Sequence, residues 1–327
     1  MFFLIGAPRS GTKLLRECLN ANGGIFIPPA ETEFYISFKK NFTKVSTRNL
    51  KDQVDFLYRF VCQTPYATFL KLESNHRVCR DSWVRYLTED WIGDVNVQAH
   101  FEALLYASQF DPSQKVLLGD KSPSYMQVVD VLLSDFEDAK FIFICRDPRD
   151  VVLSSSRAWG KSKIRTAKKW AALNAGLPAL ISKCNSNIHL VKYENLISNP
   201  DKTVESVVQF LGVPYDDAWH KRLGITENLG GAKGRRGIFK PEQYFHHPKN
   251  YIIDGLTADV ASQLRYHIDS NFSQRIISKL FYSVLSFPLA FFDIFRMFYF
   301  DVRKMGLWSG VKFRVSYYLN SGKVGGG

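Results

Sequence analysis

Cysteine is sparse in this chain. Five residues, Cys18, Cys62, Cys79, Cys145 and Cys184, are scattered over 327 positions without a CxxC pair, and an odd, dispersed set argues against a closed disulfide framework. Reduced, mostly buried thiols are expected. Acidic side chains are also in deficit, with 31 Asp and Glu against 43 Lys and Arg for a net charge of +12. Such a balance attracts an anionic partner, whether a nucleotide, a nucleic acid, an acidic lipid surface or an acidic polymer. Secretory features are missing too: Met1 to Gly6 is apolar but too short for a signal peptide and has no basic lead. A cytoplasmic location follows as an expectation. There is no internal repeat, and low complexity is confined to Gly325-Gly326-Gly327. A hydrophobic content of 46% excludes both a disordered chain and a multi-span membrane protein. One large domain with an appendage remains.

Short apolar runs recur along the chain at Phe2–Ile5, Ile25–Ile27, Val116–Leu118, Phe141–Ile144 and His189–Val191. Several are separated by stretches long enough for crossover helices, which is the rhythm of a parallel α/β sheet. Helices are predicted from about Ser10 to Ala21, at 149–159 after Asp147-Pro148, at 165–183, at 201–211 after Asn199-Pro200, and at 257–270 after a Thr cap. Residues 40–110 show aromatic-rich helical patterning and no strand, so a helical insertion over the ligand edge of the sheet is expected. The predicted organisation is a domain over 1–275 with that insertion, followed by an extension over 276–327. Residues 228–250, rich in Gly, Lys and Arg with little apolar periodicity, read as a long functional loop.

The extension carries seven Lys and Arg against Asp293 and Asp301, a net charge of +5, and its stretch Leu280 to Phe292 is uncharged and aromatic. That stretch contains Pro288 and is shorter than the roughly 20 residues a bilayer span needs. An amphipathic element docking at the inner face of a membrane is expected, with aromatics in the lipid boundary and basic groups toward headgroups. A helical hairpin packed on the domain, or on a second subunit of a homo-oligomer, is an equally weighted reading.

Chemistry begins at the amino terminus. Gly6-Ala7-Pro8-Arg9-Ser10-Gly11-Thr12-Lys13 joins an apolar strand to a helix, so backbone N–H groups and a helix N-terminus converge there on an anion. The spacing is that of GxxxxGK[ST], but Thr12 precedes Lys13, so the Lys-then-hydroxyl order of a nucleoside triphosphatase is absent. The run Phe141-Ile142-Phe143-Ile144-Cys145 ends in Arg146 rather than in a metal-holding Asp. A strand ending in Arg points to a second anionic group on the ligand, with the hydroxyl of Ser154 eight residues on available to share it.

These two elements together resemble the paired signature of sulfotransferases that use 3′-phosphoadenosine 5′-phosphosulfate (PAPS), in the branch with a Pro-Arg-Ser-Gly-Thr loop that includes tyrosylprotein and bacterial enzymes. The resemblance covers most of residues 1–250 and implies an α/β fold with a P-loop-like parallel sheet flanked by helices. It implies that Arg9, Ser10, Gly11, Thr12 and Lys13 hold the 5′-phosphosulfate, and that Arg146 and Ser154 hold the 3′-phosphate. Lys13 stands where a second Thr is common. Tyr193, in Tyr193-Glu194-Asn195-Leu196, resembles an element near the cofactor, and Gly234-Arg235-Arg236-Gly237 resembles, more loosely, the late basic loop over the 3′-phosphate and adenine.

Sulfuryl transfer to a hydroxyl needs a base for the acceptor proton and positive charge around a loose, in-line transition state. The resemblance implies Glu31, in Ala30-Glu31-Thr32-Glu33, as the base, preferred over Glu33. It places Lys121, in Gly119-Asp120-Lys121-Ser122-Pro123, beside the leaving group together with Arg9 and Lys13. No metal is assigned, because adjacent His246-His247 rarely share one ion and no other ligand set has the spacing. A GxSxG elbow is lacking. The expected partner is a hydroxyl-bearing acceptor, a saccharide, a lipid-linked alcohol or a small molecule, and no nucleic acid. A P-loop small-molecule kinase and a non-catalytic, anion-binding membrane module are the competing readings.

Overall fold

The computed structural model describes residues 1–109, 115–183, 186–223, 250–306 and 308. Five strands, β1 (Phe2–Ile5), β2 (Ile25–Phe26), β3 (Leu117–Lys121), β4 (Lys140–Cys145) and β5 (Ile188–Lys192), form one sheet in the order β2-β3-β1-β4-β5. All paired neighbours run parallel. Helix α1 (Thr12–Asn22) follows β1. Helices α2 (Tyr35–Thr43), α3 (Leu50–Cys62), α4 (Pro65–Ser74), α5 (Arg80–Arg85) and α6 (Val97–Tyr106) fill the interval before β3. Helix α7 (Val129–Asp135) leads to β4, and α8 (Pro148–Trp159), α9 (Lys163–Asn174) and α10 (Leu177–Lys183) lead to β5. Then come α11 (Tyr193–Ser198), α12 (Pro200–Leu211), α13 (Trp219–Arg222), α14 (Tyr251–Gln263) and α15 (Phe272–Met305).

The strands read as unbroken apolar runs because both faces of the sheet are covered. Phe3, Ile5, Phe141 and Phe143 enter one core, while Phe2, Leu4, Ile142 and Ile144 enter the other, as the two-residue strand period demands. The first core is aromatic. Phe3 meets Phe136 at 5.0 Å and Phe141 at 5.3 Å between ring centroids, and Tyr35 of α2 meets Phe101 of α6 at 5.1 Å. These edge-on and stacked rings tie the helices between β2 and β3 to the sheet. The second core packs Leu15, Cys18 and Leu19 of α1 against Val204, Val207 and Val208 of α12.

Three expectations change. The helix predicted over 165–183 is two helices separated at Ala175-Gly176, where the chain turns. The helix predicted at 257–270 starts earlier, because Asn250 rather than a Thr caps it, accepting a hydrogen bond from Ile253 N at 3.1 Å; Thr257 is instead buried, donating to Ile253 O. The uncharged stretch Leu280–Phe292 does not stop at its proline. Pro288 lies inside the 34-residue α15, at the cost of the one backbone hydrogen bond its missing N–H would have made. A 25-residue portion, Phe272–Arg296, is thus apolar and long enough to cross a membrane by length and composition.

Candidate active site

Four of the five strands end at one edge with a chemically distinctive residue or turn: Gly6 after β1, Lys121 closing β3, Arg146 after β4 and Tyr193 after β5. Because β1 lies centrally between β3 and β4, its exit loop sits where successive connections depart to opposite sides, the usual ligand crevice of an open parallel sheet.

The loop Gly6–Gly11 is closed by a hydrogen bond from Ser10 N to Ala7 O at 3.0 Å. Gly11 takes φ +100 at the start of α1, whose first turn has neither a capping side chain nor an acidic residue. Its outward N–H groups and positive dipole end are therefore left to an anion. The Ser10 hydroxyl is buried with no partner among the described residues. Arg9 adopts φ +72, a left-handed backbone that costs a non-glycine residue energy and clusters at functional sites. Its Nε donates to Ser154 Oγ on α8 at 2.9 Å, and its guanidinium lies 5.3 Å from the Trp159 ring centre. Lys13 is half-buried in the first turn of α1.

On the β4–β5 side, Arg146 is only 8% exposed. Its guanidinium lies 4.1 Å from the Tyr193 ring centre, donates to Arg9 O at 3.4 Å and pairs with Asp150 at 3.5 Å. Tyr193 also closes against the loop: a Cβ on Gly11 would come within 2.4 Å of its Cδ2. Asp147, the acidic residue nearest this strand end, is occupied. Its carboxylate caps α8 by accepting from Arg149 N at 2.8 Å and pairs with the Arg149 guanidinium at 2.6 Å. Its own N–H donates to Glu194, whose other oxygen accepts from Tyr266.

On the β3 side, Lys121 pairs in register with Leu4 of β1 and is 3% exposed. It forms an ion pair with Glu31, whose side chain is 39% exposed. Burial lowers the Lys121 pKa; the Glu31 carboxylate opposes this, and the nearby Arg16 charge adds to it. Arg16, buried on α1, donates to Pro29 O at 2.5 Å and pairs with Glu17, holding the segment that leads into Glu31.

Behind the ion pair lies a fully buried polar cluster. Thr32 Oγ1 lies 2.5 Å from Asp120 Oδ2, 2.6 Å from the Tyr125 hydroxyl and 3.1 Å from Ser122 Oγ, which in turn accepts from Glu33 N at 3.2 Å. Complete burial pushes the Asp120 carboxyl up to about 7, against the lowering effects of the Thr32 hydrogen bond and the Lys121 charge. Partial burial, followed by the charge of Glu31 beside it, also pushes Glu33 up to about 7. Glu33 has φ +47, so the Glu31-Thr32-Glu33 segment is a constrained turn pinned to the end of β3.

Thus Arg9, Ser10, Gly11, Arg146, Ser154 and Tyr193 gather on one side of the α1 N-terminus, and Glu31 and Lys121 on the other. Thr12 and Lys13 form the first turn between them. Arg9 and Ser154, expected at different ends of the ligand, bond directly to each other. Arg235 and Arg236 lie outside the described residues. Sequence reasoning passed over Arg16, Thr32, Asp120, Ser122, Tyr125 and Trp159. Adjacency to Glu31 and Lys121 was the available signal for Thr32, Asp120 and Ser122, and nothing local marked the others.

A profile of the Sulfotransferase family matches residues 2–217. The chain is 26% identical over 248 residues to the nodulation protein NoeE of Sinorhizobium fredii (strain NBRC 101917 / NGR234), covering 69% of this chain and 52% of that protein. It is 24% identical over 228 residues to protein-tyrosine sulfotransferase A of Caenorhabditis elegans, covering 66% and 50%. It therefore spans about half the length of these curated relatives. The fold is shared with the sulfotransferase domain of the Synechococcus PCC 7002 olefin synthase, at TM-score 0.53 and 20% identity over 82% of this chain and 95% of that one. The sulfotransferase domain of the curacin biosynthetic pathway gives TM-score 0.51 and 18% identity over 82% and 98%. A family match running from β1 past the last strand, on a parallel sheet shared with solved sulfotransferase domains, makes this chain a member of the sulfotransferase family.

Proposed function

We propose that the protein transfers a sulfuryl group from PAPS to a hydroxyl acceptor by in-line displacement. The observation that carries this reading is the pair of clusters flanking one uncapped helix N-terminus at the switch point of the sheet. The donor set fits a nucleotide with two separated anionic groups. The loop N–H groups, Ser10, Thr12 and Lys13 suit a phosphosulfate; Arg146 and Ser154 suit a second phosphate, with Tyr193 offering a ring face and Arg9 bridging the two. When bound, PAPS supplies the activated sulfuryl group.

The chain's own residues do the rest. Glu31 accepts the acceptor hydroxyl's proton, being the half-buried carboxylate at this edge that is ion-paired to a buried cation. Lys121, released from Glu31 as that carboxylate is protonated, turns its charge to the leaving phosphate side, with Arg9 and the α1 dipole adding to the stabilisation. The kinase reading is less favoured because Asp147 is committed to capping α8 and pairing with Arg149. The acceptor is a saccharide, a lipid-linked alcohol or a small molecule, and the reading extends to peripheral membrane contact through 276–327.

Isothermal titration with 3′-phosphoadenosine 5′-phosphate, the desulfated product, tests the donor site against ATP with and without Mg²⁺. Product binding that weakens by about 100-fold in Arg146→Ala is expected for a lost charge-assisted contact. Preference for Mg-ATP would overturn the reading in favour of a kinase. Binding without sulfate transfer across a screen of hydroxyl acceptors would favour the non-catalytic module.

A further inference from the structure

Helix α15 has two unlike faces. One is fastened to the domain. Gln274, Ser278, Tyr282, Leu285, Leu289 and Asp293 recur at helical spacing along it. Gln274 donates to Tyr251 O at 2.9 Å, as does Ser278 at 3.2 Å. Gly255 of α14 admits Ser278 so closely that a Cβ there would meet its Oγ at 2.2 Å. Near the other end of the apolar window, Asp293, 5% exposed, accepts from Ser162 N and from Arg165, each at 2.8 Å. Over the described residues α15 is one continuous helix rather than a hairpin, and it packs on α14 and α9 of its own chain.

The opposite face is bare. Ile276, Leu280, Val284, Phe287, Phe291 and Phe295 recur with the same spacing, two residues out of step with the fastened face, which is about 200° round the helix. Val284 is 77% exposed, Phe287 82% and Phe295 59%. From Ile276 to Phe295 the stripe runs about 28 Å at 1.5 Å per residue, far more apolar surface than isolated exposed residues explain. Beyond it lie Tyr299 and Trp308, 62% and 77% exposed, and the cations Arg296 and Arg303. Lys304, Lys312, Arg314 and Lys323 follow in the sequence.

We infer that α15 lies flat in the interfacial layer of an anionic membrane, its outer stripe among the acyl chains and its inner face still on the domain. This rests on, and specifies, the peripheral contact proposed above. A span is disfavoured because crossing the bilayer requires tearing Gln274 and Ser278 from Tyr251 at one end and Asp293 from Arg165 at the other, leaving a carboxylate facing lipid. Charge selects the occupant. A second copy would bring another segment of net charge +5 against this one, on a chain of net charge +12, whereas acidic headgroups complement it. A cavity of about 500 Å³ beside the helix is lined by Ile164, Ile253, Leu289 and Phe292, with Lys163, Arg296 and the carboxylate of Asp293.

The test uses the full chain with phosphatidylcholine vesicles, with and without phosphatidylglycerol. Co-sedimentation is expected with the acidic vesicles and should weaken as salt rises. The Phe287→Glu/Phe291→Glu double variant should bind them at least about tenfold less, because two charges replace apolar groups in the buried stripe. Its binding of 3′-phosphoadenosine 5′-phosphate should stay unchanged, which shows that the fold persists. Equal vesicle binding by the variant, or none by the parent chain, overturns the inference. So does resistance to alkaline carbonate extraction, the sign of a span, and so does a parent dimer that the variant abolishes. Loss of product binding by the parent chain would instead count against the donor reading, whatever the vesicles show.

Discussion

Gly11 is where loop geometry and ligand chemistry can be separated by one methyl group. Its φ of +100 is left-handed, so Gly11→Ala costs about 1–2 kcal/mol in backbone strain alone. The added Cβ would also sit 2.4 Å from Tyr193 Cδ2, so the ring must retreat by about 1 Å to reach ordinary van der Waals contact. That ring lies under Arg146 at 4.1 Å; moving it removes a cation–π contact of about 0.5–2 kcal/mol and shifts the guanidinium proposed to hold the 3′-phosphate. Gly212, at φ +78 with its nearest neighbour, the Lys140 ammonium, at 3.8 Å, is the control. Gly212→Ala pays the backbone strain and has no clash. Both variants should lose about 1–3 kcal/mol in urea denaturation. Only Gly11→Ala should lose affinity for 3′-phosphoadenosine 5′-phosphate in titration calorimetry, by about 10- to 100-fold. Unchanged affinity in Gly11→Ala would refute the argument that Tyr193 and Arg146 are set by this loop.

Other outcomes follow from the same geometry. Glu31→Gln should reduce kcat by about 100-fold or more, as loss of a general base does, while product affinity in calorimetry stays near that of the parent chain; retained turnover would remove Glu31 from the mechanism. Asp120, pushed up to about 7 by burial, binds its proton more tightly folded than unfolded. Its contribution to stability is thus whole below about pH 4 and is lost as pH rises through about 7. Asp120→Asn, neutral at every pH, should therefore gain on the parent chain between about pH 5 and about pH 8, by on the order of a few kcal/mol. Urea denaturation at both pH values measures this, and an unchanged gap would contradict it. Thr32→Val removes the shorter of the buried hydroxyl contacts to Asp120 and the Thr32 partner of the Tyr125 hydroxyl, and should cost about 1–3 kcal/mol in the same assay, with a fall in kcat because the Glu31 turn loosens.

Local chemistry made much of this protein legible in its sequence. The apolar runs Phe2–Ile5 and Phe141–Ile144 mark buried parallel strands whatever they pair with, and the Gly6–Gly11 turn between strand and helix marks the candidate anion site proposed above. Asp147-Pro148 similarly announces α8. Helix limits were less legible where a competing cap was stronger, as at Asn250, or where packing carried a helix through a proline, as at Pro288. What sequence could not assign was company. Arg9 and Ser154 are 145 residues apart, Thr32 and Asp120 88, Lys121 and Glu31 90, and each pair meets only because the order β2-β3-β1-β4-β5 brings those strand ends to one edge. The same holds for α15, whose composition makes it a helix with apolar residues on every side. Which face is spent on α14 and α9, and which is left exposed, depends on where Tyr251, Gly255 and Arg165 stand in the folded domain, since a helix buries the stripe whose partners lie within reach.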